Sequence, residues 1–297
     1  MKHPIRHRLE YALARCFIAV FAALPLALAS NLGAALGAMV GRLPPLARRV
    51  ERNLALAMPE LGATERAAIR ASVWRNLGRT IAEIPHLHDF TLTDGPPGQG
   101  QVQVLGAPAP EQNIGTLYFG AHIGNWELMT LVAAKLGRPM HGVYRAPNNP
   151  LIDQWLRRQR ARVSLAPLPK GASAARAILT ALNRGGAVGM LVDQKMNDGI
   201  PVPFFGRRAM TAPALAQLAL RRGIDLVPMR CERLNGAAFR ISFLAPLSPG
   251  PSDDAAALMG RVNQMLEAWI RERPEQWLWP HNRWPKEADD TKDDTVS

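Results

Sequence analysis

Residues 116–137, TLYFGAHIGNWELMTLVAAKLG, decide the fold because they contain a strand and a helix in immediate succession. The run Gly115–Ala121 is short and apolar, as in a strand that is covered on both faces, and Trp126–Leu136 has the length of a helix. Strand-like and helix-like runs go on alternating as far as Arg273. This alternation predicts an α/β protein with a mixed central sheet flanked by helices.

The same reasoning places the other elements. Before the central segment, Thr64–Ile84 has apolar residues at helical spacing, and a loop rich in glycine and proline follows at Thr93–Gly100. The predicted strands after it are Met140–Tyr144, Ala187–Val192, Leu226–Cys231 and Phe239–Leu244. The predicted helices are Pro150–Val163, Ser173–Arg184, Ala212–Arg222 and Ala255–Arg273.

The N-terminal region contains a run of 26 residues without a charge, Cys16–Gly41. A membrane-spanning helix needs about 20 apolar residues, so this run is long enough to enter or cross a bilayer. A signal peptide cleaved near residues 27–29 and a hydrophobic hairpin broken near Pro25 and Asn31 are the alternatives. Both flanks are basic, which gives no clear orientation but suits a helix lying in an anionic leaflet. We therefore predict a hydrophobic, membrane-associated N-terminal helix.

Three regions follow from these patterns. Residues 1–45 are the predicted membrane anchor, residues 46–285 the catalytic domain, and residues 286–297 a disordered acidic tail. Within the anchor, Gly33, Gly37 and Gly41 are four residues apart. This spacing lets a second helix approach closely, although an Ala/Gly-rich helix shows it by composition alone.

The charge of the chain indicates an anionic partner. The net charge is +12 over 297 residues, and the last twelve residues are acidic, so the rest is more basic still. Most of the cations are arginines, which bind carboxylate and phosphate through a planar fork. With only Cys16 and Cys231, no disulfide scaffold or cysteine zinc site is available. Glycine-rich nucleotide loops and a G-x-S-x-G nucleophile motif are also absent from the sequence.

His122 lies where the first strong strand gives way to a helix, and ligands of open α/β sheets bind at such crossings. If Asn125 caps the helix, Glu127 falls in the first turn, and the loop can fold the imidazole onto this carboxylate. Glu127 would then orient the ring while His122 takes a proton from a substrate hydroxyl. A strand-end histidine also suits a structural role, so both interpretations stay open from the residues alone.

Two further clusters carry candidate binding residues. Asn149 and Pro150 start a helix whose second half carries arginines at 157, 158, 160 and 162, and Arg145 follows a strand nearby. These arginines form either a solvated helix face or an anion site. Asp193 and Gln194 follow another strand, and Gly199 to Gly206 is predicted to be a loop. The aspartate either orients an arginine or a substrate, or simply caps a turn.

Taken together, several motifs resemble the late acyltransferases of lipid A biosynthesis. The matching pieces are HIGNWE from His122, YRAPNNPLID from Tyr144, the R-x-R of Arg160 and Arg162, LVDQ followed by VPFFG, and PEQWLWPHNRW from Pro274. RNLALAMPEL and NLGRTIAE match upstream, so the resemblance covers roughly residues 49–284. The N-terminal segment departs from the family pattern at Pro25, which leaves the mode of anchoring open.

The resemblance implies an enzyme of the bacterial inner membrane whose catalytic domain faces the cytoplasm. It implies transfer of a fatty acyl chain from acyl carrier protein to a hydroxyl of a 3-hydroxyacyl group on a Kdo-bearing lipid A precursor, without cofactor or metal. By motif position, the catalytic residues are His122, Glu127, Arg160 and Asp193. The residues that we expect to bind substrate are Arg145, Asn149, Arg157, Arg162, Gln194 and Gly206.

Alternatives remain at this point. An acyltransferase of the same superfamily that acts on a phosphatidylinositol mannoside, or that uses acyl-CoA, would carry the same motifs. A non-enzymatic membrane binder would share the basic and apolar segments. Nucleic-acid binding is disfavoured, because no aromatic residues are interleaved with the basic clusters.

Overall fold

The structure is a computed structural model, and it describes residues 4–108, 115–169 and 172–284. The helices in these ranges are α1 (Pro4–Ala22), α2 (Leu26–Val40), α3 (Pro44–Ala57), α4 (Ala63–Glu83), α5 (Leu128–Lys135), α6 (Pro150–Val163), α7 (Ala172–Asn183), α8 (Ala214–Arg222) and α9 (Ala255–Glu272). The strands are β1 (Thr91–Thr93), β2 (Gln101–Leu105), β3 (Thr116–Gly120), β4 (Met140–Tyr144), β5 (Leu168–Pro169), β6 (Ala187–Leu191), β7 (Lys195–Phe204), β8 (Arg207–Thr211), β9 (Leu226–Asn235) and β10 (Ala238–Phe243).

Eight of these strands form one mixed sheet in the order β1-β2-β10-β9-β3-β6-β4-β5. Every neighbouring pair is parallel except β9 and β10, which are antiparallel. The prediction of a mixed sheet flanked by helices is therefore confirmed. Because β3 lies near the middle of the order, the segment that follows it begins near the middle of the edge at which the parallel strands end.

All five residues of β3 are buried, because both of its faces are covered. Leu117 and Phe119 pack into a core shared with α4, α8 and α9. Tyr118, between them, points to the opposite face and packs with residues of α5, β2 and β10. Alternate side chains thus enter two different cores, as the two-residue repeat of a strand requires, and the sheet forms the middle layer of three.

One predicted loop is a hairpin in the structure. We expected Gly199–Gly206 to be irregular, yet β7 and β8 pair as an antiparallel ribbon that turns at Phe205 and Gly206. Pro201 and Pro203 in β7 argued against a strand, since proline donates no hydrogen bond to a ladder. A two-stranded ribbon tolerates them because, among the residues that the structure describes, β7 and β8 pair only with each other and each keeps an unpaired outer edge.

The N-terminal apolar run is broken rather than continuous. Helix α1 ends at Ala22 and α2 begins at Leu26, on either side of Pro25, as the hairpin interpretation expected. Its second expected break is wrong, since Asn31 lies inside α2. Within the described residues no single helix has the length and apolarity of a membrane span; α2 and α3 together do, but they meet at a bend of 92°. The membrane-associated helix is therefore not confirmed and stays a prediction.

Helix α2 packs on α4 through the glycines that the sequence singled out. A Cβ atom added to Gly33 would lie 2.5 Å from the Cβ atom of Ala82, and one added to Gly37 would overlap the backbone of Trp74. The close approach allowed by the glycine spacing is therefore realised. The opposite side of α2 exposes large apolar side chains, among them Leu28 and Met39.

The predicted boundary between an anchor and a catalytic domain stays a prediction. In the structure α2 and α4 lie on opposite sides of that boundary at residue 45 and are in direct contact. The predicted acidic tail, residues 286–297, lies outside the described residues.

Candidate active site

The structure brings His122 and Asp193 together through the register of two parallel strands. Gly120 at the end of β3 pairs with Leu191 at the end of β6. His122 and Asp193 each lie two residues beyond this pair. Their side chains therefore lie at the same edge of the sheet. The Nδ1 atom of His122 lies 2.8 Å from Oδ1 of Asp193, and the backbone N–H of His122 donates to Oδ2 at 3.1 Å.

Asp193 is an ionised carboxylate in a buried position, with 1% of its surface exposed. Burial by itself would raise its pKa, but the attraction of the protonated form of His122 and the hydrogen bonds from His122 and from the indole N–H of Trp277 hold the pKa well below its usual range. The Trp277 Nε1 atom donates to Oδ2 at 2.7 Å. An ionised partner at Nδ1 keeps the proton on that nitrogen and leaves Nε2 as the basic atom of the neutral ring.

The Nε2 atom of His122 faces a cavity. The amide nitrogen of Gln194 lies 3.4 Å from it, and the ring of Trp126 meets the imidazole edge-on at a centroid distance of 5.0 Å. His122 also lines the wall of the cavity, whose volume is about 390 Å³. Asp193 thus holds the ring on its Nδ1 side, while the Nε2 side borders the cavity and the Gln194 amide.

Glu127 does not orient the His122 ring, which differs from the expectation. Its carboxylate receives two hydrogen bonds from Arg160, from Nε to Oε2 at 2.8 Å and from Nη2 to Oε1 at 2.6 Å. Burial alone would lower the pKa of Arg160, because it disfavours the charged form. The Glu127 carboxylate has the larger effect in the opposite direction, so the pKa of Arg160 is raised. The physical reason is strand register, which places Asp193 rather than Glu127 at Nδ1.

Arg160 is also fixed from its other side. Its guanidinium lies 5.2 Å from the centre of the Tyr144 ring, and the Tyr144 hydroxyl donates to Asp153 at 2.8 Å. Burial, reinforced by this hydrogen bond, raises the pKa of Tyr144 to about 12, so the phenol stays neutral. The planar cation of Arg160 is therefore held at the cavity wall by a carboxylate and by an aromatic face.

The cavity has a polar side and an apolar side. The polar lining includes His122, Glu127, Arg145, Arg160, Gln194 and His281. The apolar lining includes Phe119, Met129, Met140, Val143, Met190 and Leu191. Among the described residues, no group of three His, Cys, Asp or Glu side chains is placed to hold a metal ion. The arrangement suits a ligand with an apolar chain and a polar reacting group.

The predicted binding residues divide between the cavity and other places. Arg145 and Gln194 line the cavity. Asn149 instead caps α6 and donates to the backbone oxygen of His7 and to Glu10, so it joins α6 to α1. Arg157 and Arg162 are exposed on α6, and Gly206 lies in the turn between β7 and β8; none of these three belongs to the cavity lining.

Backbone groups of the loop between His122 and Glu127 form hydrogen bonds with other parts of the protein. The Gly124 N–H donates to the carbonyl of Gln276 at 3.1 Å, so this N–H is not available to stabilise the carbonyl oxygen of a substrate. Gly124 has a φ of +62°, and a Cβ atom there would lie 3.1 Å from the backbone oxygen of Cys231. Only glycine fits this position without strain.

Comparison with known proteins agrees with this geometry. The sequence profile of the bacterial lipid A biosynthesis acyltransferases matches residues 2–286. The chain belongs to this family. It is an acyltransferase, and the cavity beside His122 is its candidate active site.

Individual relatives of the acyltransferase are distant but cover most of its length. A lipid A biosynthesis lauroyltransferase of Escherichia coli is 29% identical over 247 residues, 80% of this chain and 78% of the relative. The palmitoleoyltransferase of the same organism is 28% identical, over 78% and 76%. A lipid A biosynthesis acyltransferase of Haemophilus influenzae is 26% identical, over 80% and 77%. The names of the two Escherichia coli relatives give different acyl chains.

Sequence reasoning missed three residues of the acyltransferase site. Trp277 anchors Asp193, Tyr144 supports Arg160, and His281 lines the cavity while its Nε2 accepts the backbone N–H of Lys195 at 2.8 Å. Trp277 and His281 both lie in the PEQWLWPHNRW segment. The density of tryptophans there was the available signal, but such residues are more often core than site.

Proposed function

We propose that the acyltransferase moves a fatty acyl chain from acyl carrier protein to a hydroxyl of a 3-hydroxyacyl group on a Kdo-bearing lipid A precursor. One observation carries the proposal: a histidine anchored at Nδ1 by a buried carboxylate presents Nε2 to a partly apolar cavity. The names of the relatives support lipid A as the pathway. A thioester donor is already activated, so the reaction requires only a base and a stabiliser for the carbonyl oxygen.

His122 is the proposed general base. The acceptor hydroxyl gives its proton to Nε2 as its oxygen attacks the thioester carbon, and Asp193 stabilises the resulting imidazolium. The tetrahedral intermediate then collapses, the carbon–sulfur bond breaks, and the imidazolium returns the proton to the leaving thiolate. The products are an ester on the lipid and the free thiol of the carrier protein.

Arg160 is the proposed stabiliser of the developing negative charge on the carbonyl oxygen. It lies at the cavity wall, and it is already aligned by Glu127 and Tyr144. A donor that needs no rearrangement during the reaction is the kind that stabilises a transition state best. Glu127 then serves catalysis through Arg160 rather than through the imidazole.

The apolar side of the cavity is the proposed place of the acyl chain. A second cavity of about 400 Å³ adjoins it and shares Val143, Met190 and Leu191 with it. Most residues that line this second cavity are apolar, and many of them lie on α7 and α8. The acceptor carries phosphates and sugar carboxylates. The residues that we propose to bind them are Arg145 and the exposed arginines Arg157 and Arg162. The basic surface would also attract an acidic carrier protein.

We place the enzyme at the inner membrane with its active site toward the cytoplasm. Large apolar side chains are exposed along one face of α1 and one face of α2: Ile5, Leu9, Leu13, Val20, Leu28, Leu32, Leu36 and Met39. Exposed apolar surface on this scale marks a binding region, and the basic residues beside it favour an anionic lipid surface. A helix pair lying in the interface requires no single spanning helix.

Lipid A mass spectrometry tests this function. Lipid A from cells with the gene should be heavier than lipid A from deletion cells by one acyl group. His122→Ala should remove that difference, and with purified enzyme it should lower transfer by about 10²–10⁴-fold, the usual contribution of a general base. His88→Ala, which changes an exposed histidine of the same chain, is the matched control.

Other outcomes would redirect the proposal. Unchanged lipid A together with a mass change in another anionic glycolipid would assign the enzyme to a different acceptor. Transfer from acyl-CoA but not from acyl carrier protein would refute the proposed acyl donor. Normal turnover by His122→Ala would refute the general base.

A further inference from the structure

Behind the catalytic loop lies a buried carboxylate, Glu83, the last residue of α4, with no exposed surface. It accepts hydrogen bonds from the Ser30 hydroxyl at 2.6 Å and from the Asn125 amide at 2.9 Å. Two nitrogens of Arg233 donate to it as well, at 2.6 and 3.0 Å. A buried charge is costly unless it is paired in this way, so the four bonds fix the position of the carboxylate.

Asn125 links Glu83 to the loop that carries His122 and Glu127. The Asn125 side chain donates to Glu83 on one side and accepts the backbone N–H of Glu127 on the other, at 3.2 Å. Its backbone oxygen accepts the thiol of Cys231 at 3.2 Å. Asn125 itself is not part of the cavity lining, whereas Glu127 is.

Arg233 extends this support to Gly124. It donates to Asn76 at 2.7 Å and to Thr80 at 3.0 Å, both on α4. The Thr80 hydroxyl donates in turn to the backbone oxygen of Gly124 at 2.9 Å. The middle of the catalytic loop is thus tied to α4 at two successive residues.

Ser30 connects the same carboxylate to α2. It is fully buried on the glycine face of that helix, where α2 packs on α4, while the other face exposes apolar side chains. Arg79 donates to the Ser30 hydroxyl at 3.0 Å and to the side chain of Asn31 at 2.8 Å. A single carboxylate therefore bonds both the apolar N-terminal helix and the catalytic loop.

We propose that Glu83 is a positioning residue through which helix α2 holds the catalytic loop in its active arrangement. The proposal rests on the proposed function, because it assumes that the loop from His122 to Glu127 carries the chemistry. Neither Ser30 nor Glu83 lines the cavity, so their effect on the reaction passes through the residues that join Glu83 to the loop, chiefly Asn125. The expected signature is a loss of kcat with little change in KM.

Two single variants and their combination test the coupling. Asn125→Ala should lower kcat by about 10²-fold, which is the cost of a displacement of about 1 Å in a catalytic group. Ser30→Ala should lower kcat by about tenfold, the value of one hydrogen bond to a charged group. Because both act through Glu83, the double variant should lose less than the product of the two single losses.

Matched controls separate positioning from general damage. Asn31→Ala removes the neighbouring contact of Arg79 on α2 without touching Glu83, and it should keep the kcat of the wild type. Ser30→Thr keeps the hydroxyl and should recover most of the kcat that Ser30→Ala loses. Equal losses in Asn31→Ala and Ser30→Ala, or strictly multiplicative losses in the double variant, would overturn the proposal.

Hydrogen exchange of the full-length protein gives a readout that is independent of the substrate. Amides of residues 122–127 should exchange faster in Ser30→Ala than in the wild type and in Asn31→Ala. Unchanged exchange in Ser30→Ala would refute the coupling even if transfer to lipid A were established. Faster exchange together with no transfer by the wild-type enzyme would support the coupling and refute the proposed function.

Discussion

The active site contains two acid–base pairs that are built in different ways. His122 and Asp193 come from the ends of adjacent parallel strands, and the carboxylate is buried. Glu127 and Arg160 join the catalytic loop to α6, a helix with no fully buried residue. The first pair is fixed by the register of the sheet, whereas the second depends on how a peripheral helix is docked.

This difference suggests a division of labour. A pair fixed by the sheet suits proton transfer, which requires an accurately oriented ring. A pair between a loop and a surface helix forms one wall of the cavity and suits contact with a charged or polarised substrate group. The following predictions test this division, from the largest expected effect to the smallest.

Asp193→Asn should produce the largest loss. An amide at this position stabilises neither the imidazolium nor the Nδ1–H tautomer, so kcat should fall by about 10²–10⁴-fold, the range of general acid–base catalysis. Steady-state kinetics with a defined acyl donor measures the fall. Asp198→Asn, which changes an exposed aspartate five residues away, is the control and should match the wild type. A small effect of Asp193→Asn would show that strand register does not supply the catalytic pair.

Arg160→Ala should lower kcat by about 10²–10³-fold, as removal of one oxyanion donor does. Arg158 lies two residues away on α6, is exposed, and is not part of the cavity lining. Arg158→Ala should therefore have little effect in the same assay. Equal losses in the two variants would mean that α6 is only a general basic surface.

Glu127→Gln should have a smaller effect because it acts through Arg160. We expect a loss of about tenfold, the size of one charge-assisted hydrogen bond. Combined with Arg160→Ala, it should add almost nothing, since the residue that it orients is already gone. If Glu127→Gln instead multiplied the loss of Arg160→Ala and matched Asp193→Asn in size, the carboxylate would serve His122 directly.

Tyr144 should give the smallest effect. Tyr144→Phe keeps the aromatic ring beside Arg160 and removes only the hydrogen bond to Asp153. Because the cation–π contact, worth ~0.5–2 kcal/mol, is retained, kcat should change by less than about threefold. Tyr144→Ala removes that contact and should cost more. Equal activity of the Phe and Ala variants would show that the aromatic face does not hold the arginine.

Much of the fold could be predicted from the sequence because its signals are local. The bounds of β4 and α6 match the prediction, and α4 differs by one residue at each end. The strands β1 and β2 were not predicted because they are short: β1 has three residues, and the alternating pattern of β2, QVQVL, extends over only five. The β7–β8 hairpin was not predicted because its prolines normally indicate a loop.

The site was harder to predict because it depends on which strands are neighbours. His122 and Asp193 were each recognised at a strand end, but nothing in the linear sequence states that β3 and β6 are adjacent. Proximity along the chain therefore favoured Glu127 as the partner of His122. Trp277, 84 residues beyond Asp193, shows the same limit.

The two cysteines of the chain differ in a way that is useful for experiments. Cys231 is buried against Asn125, and burial raises the pKa of its thiol to about 12, whereas Cys16 is exposed on α1. A maleimide reagent attacks the thiolate and should therefore modify Cys16 first. The native chain thus offers a natural attachment point for a polarity-sensitive fluorophore, whose emission would report directly whether α1 meets water or lipid.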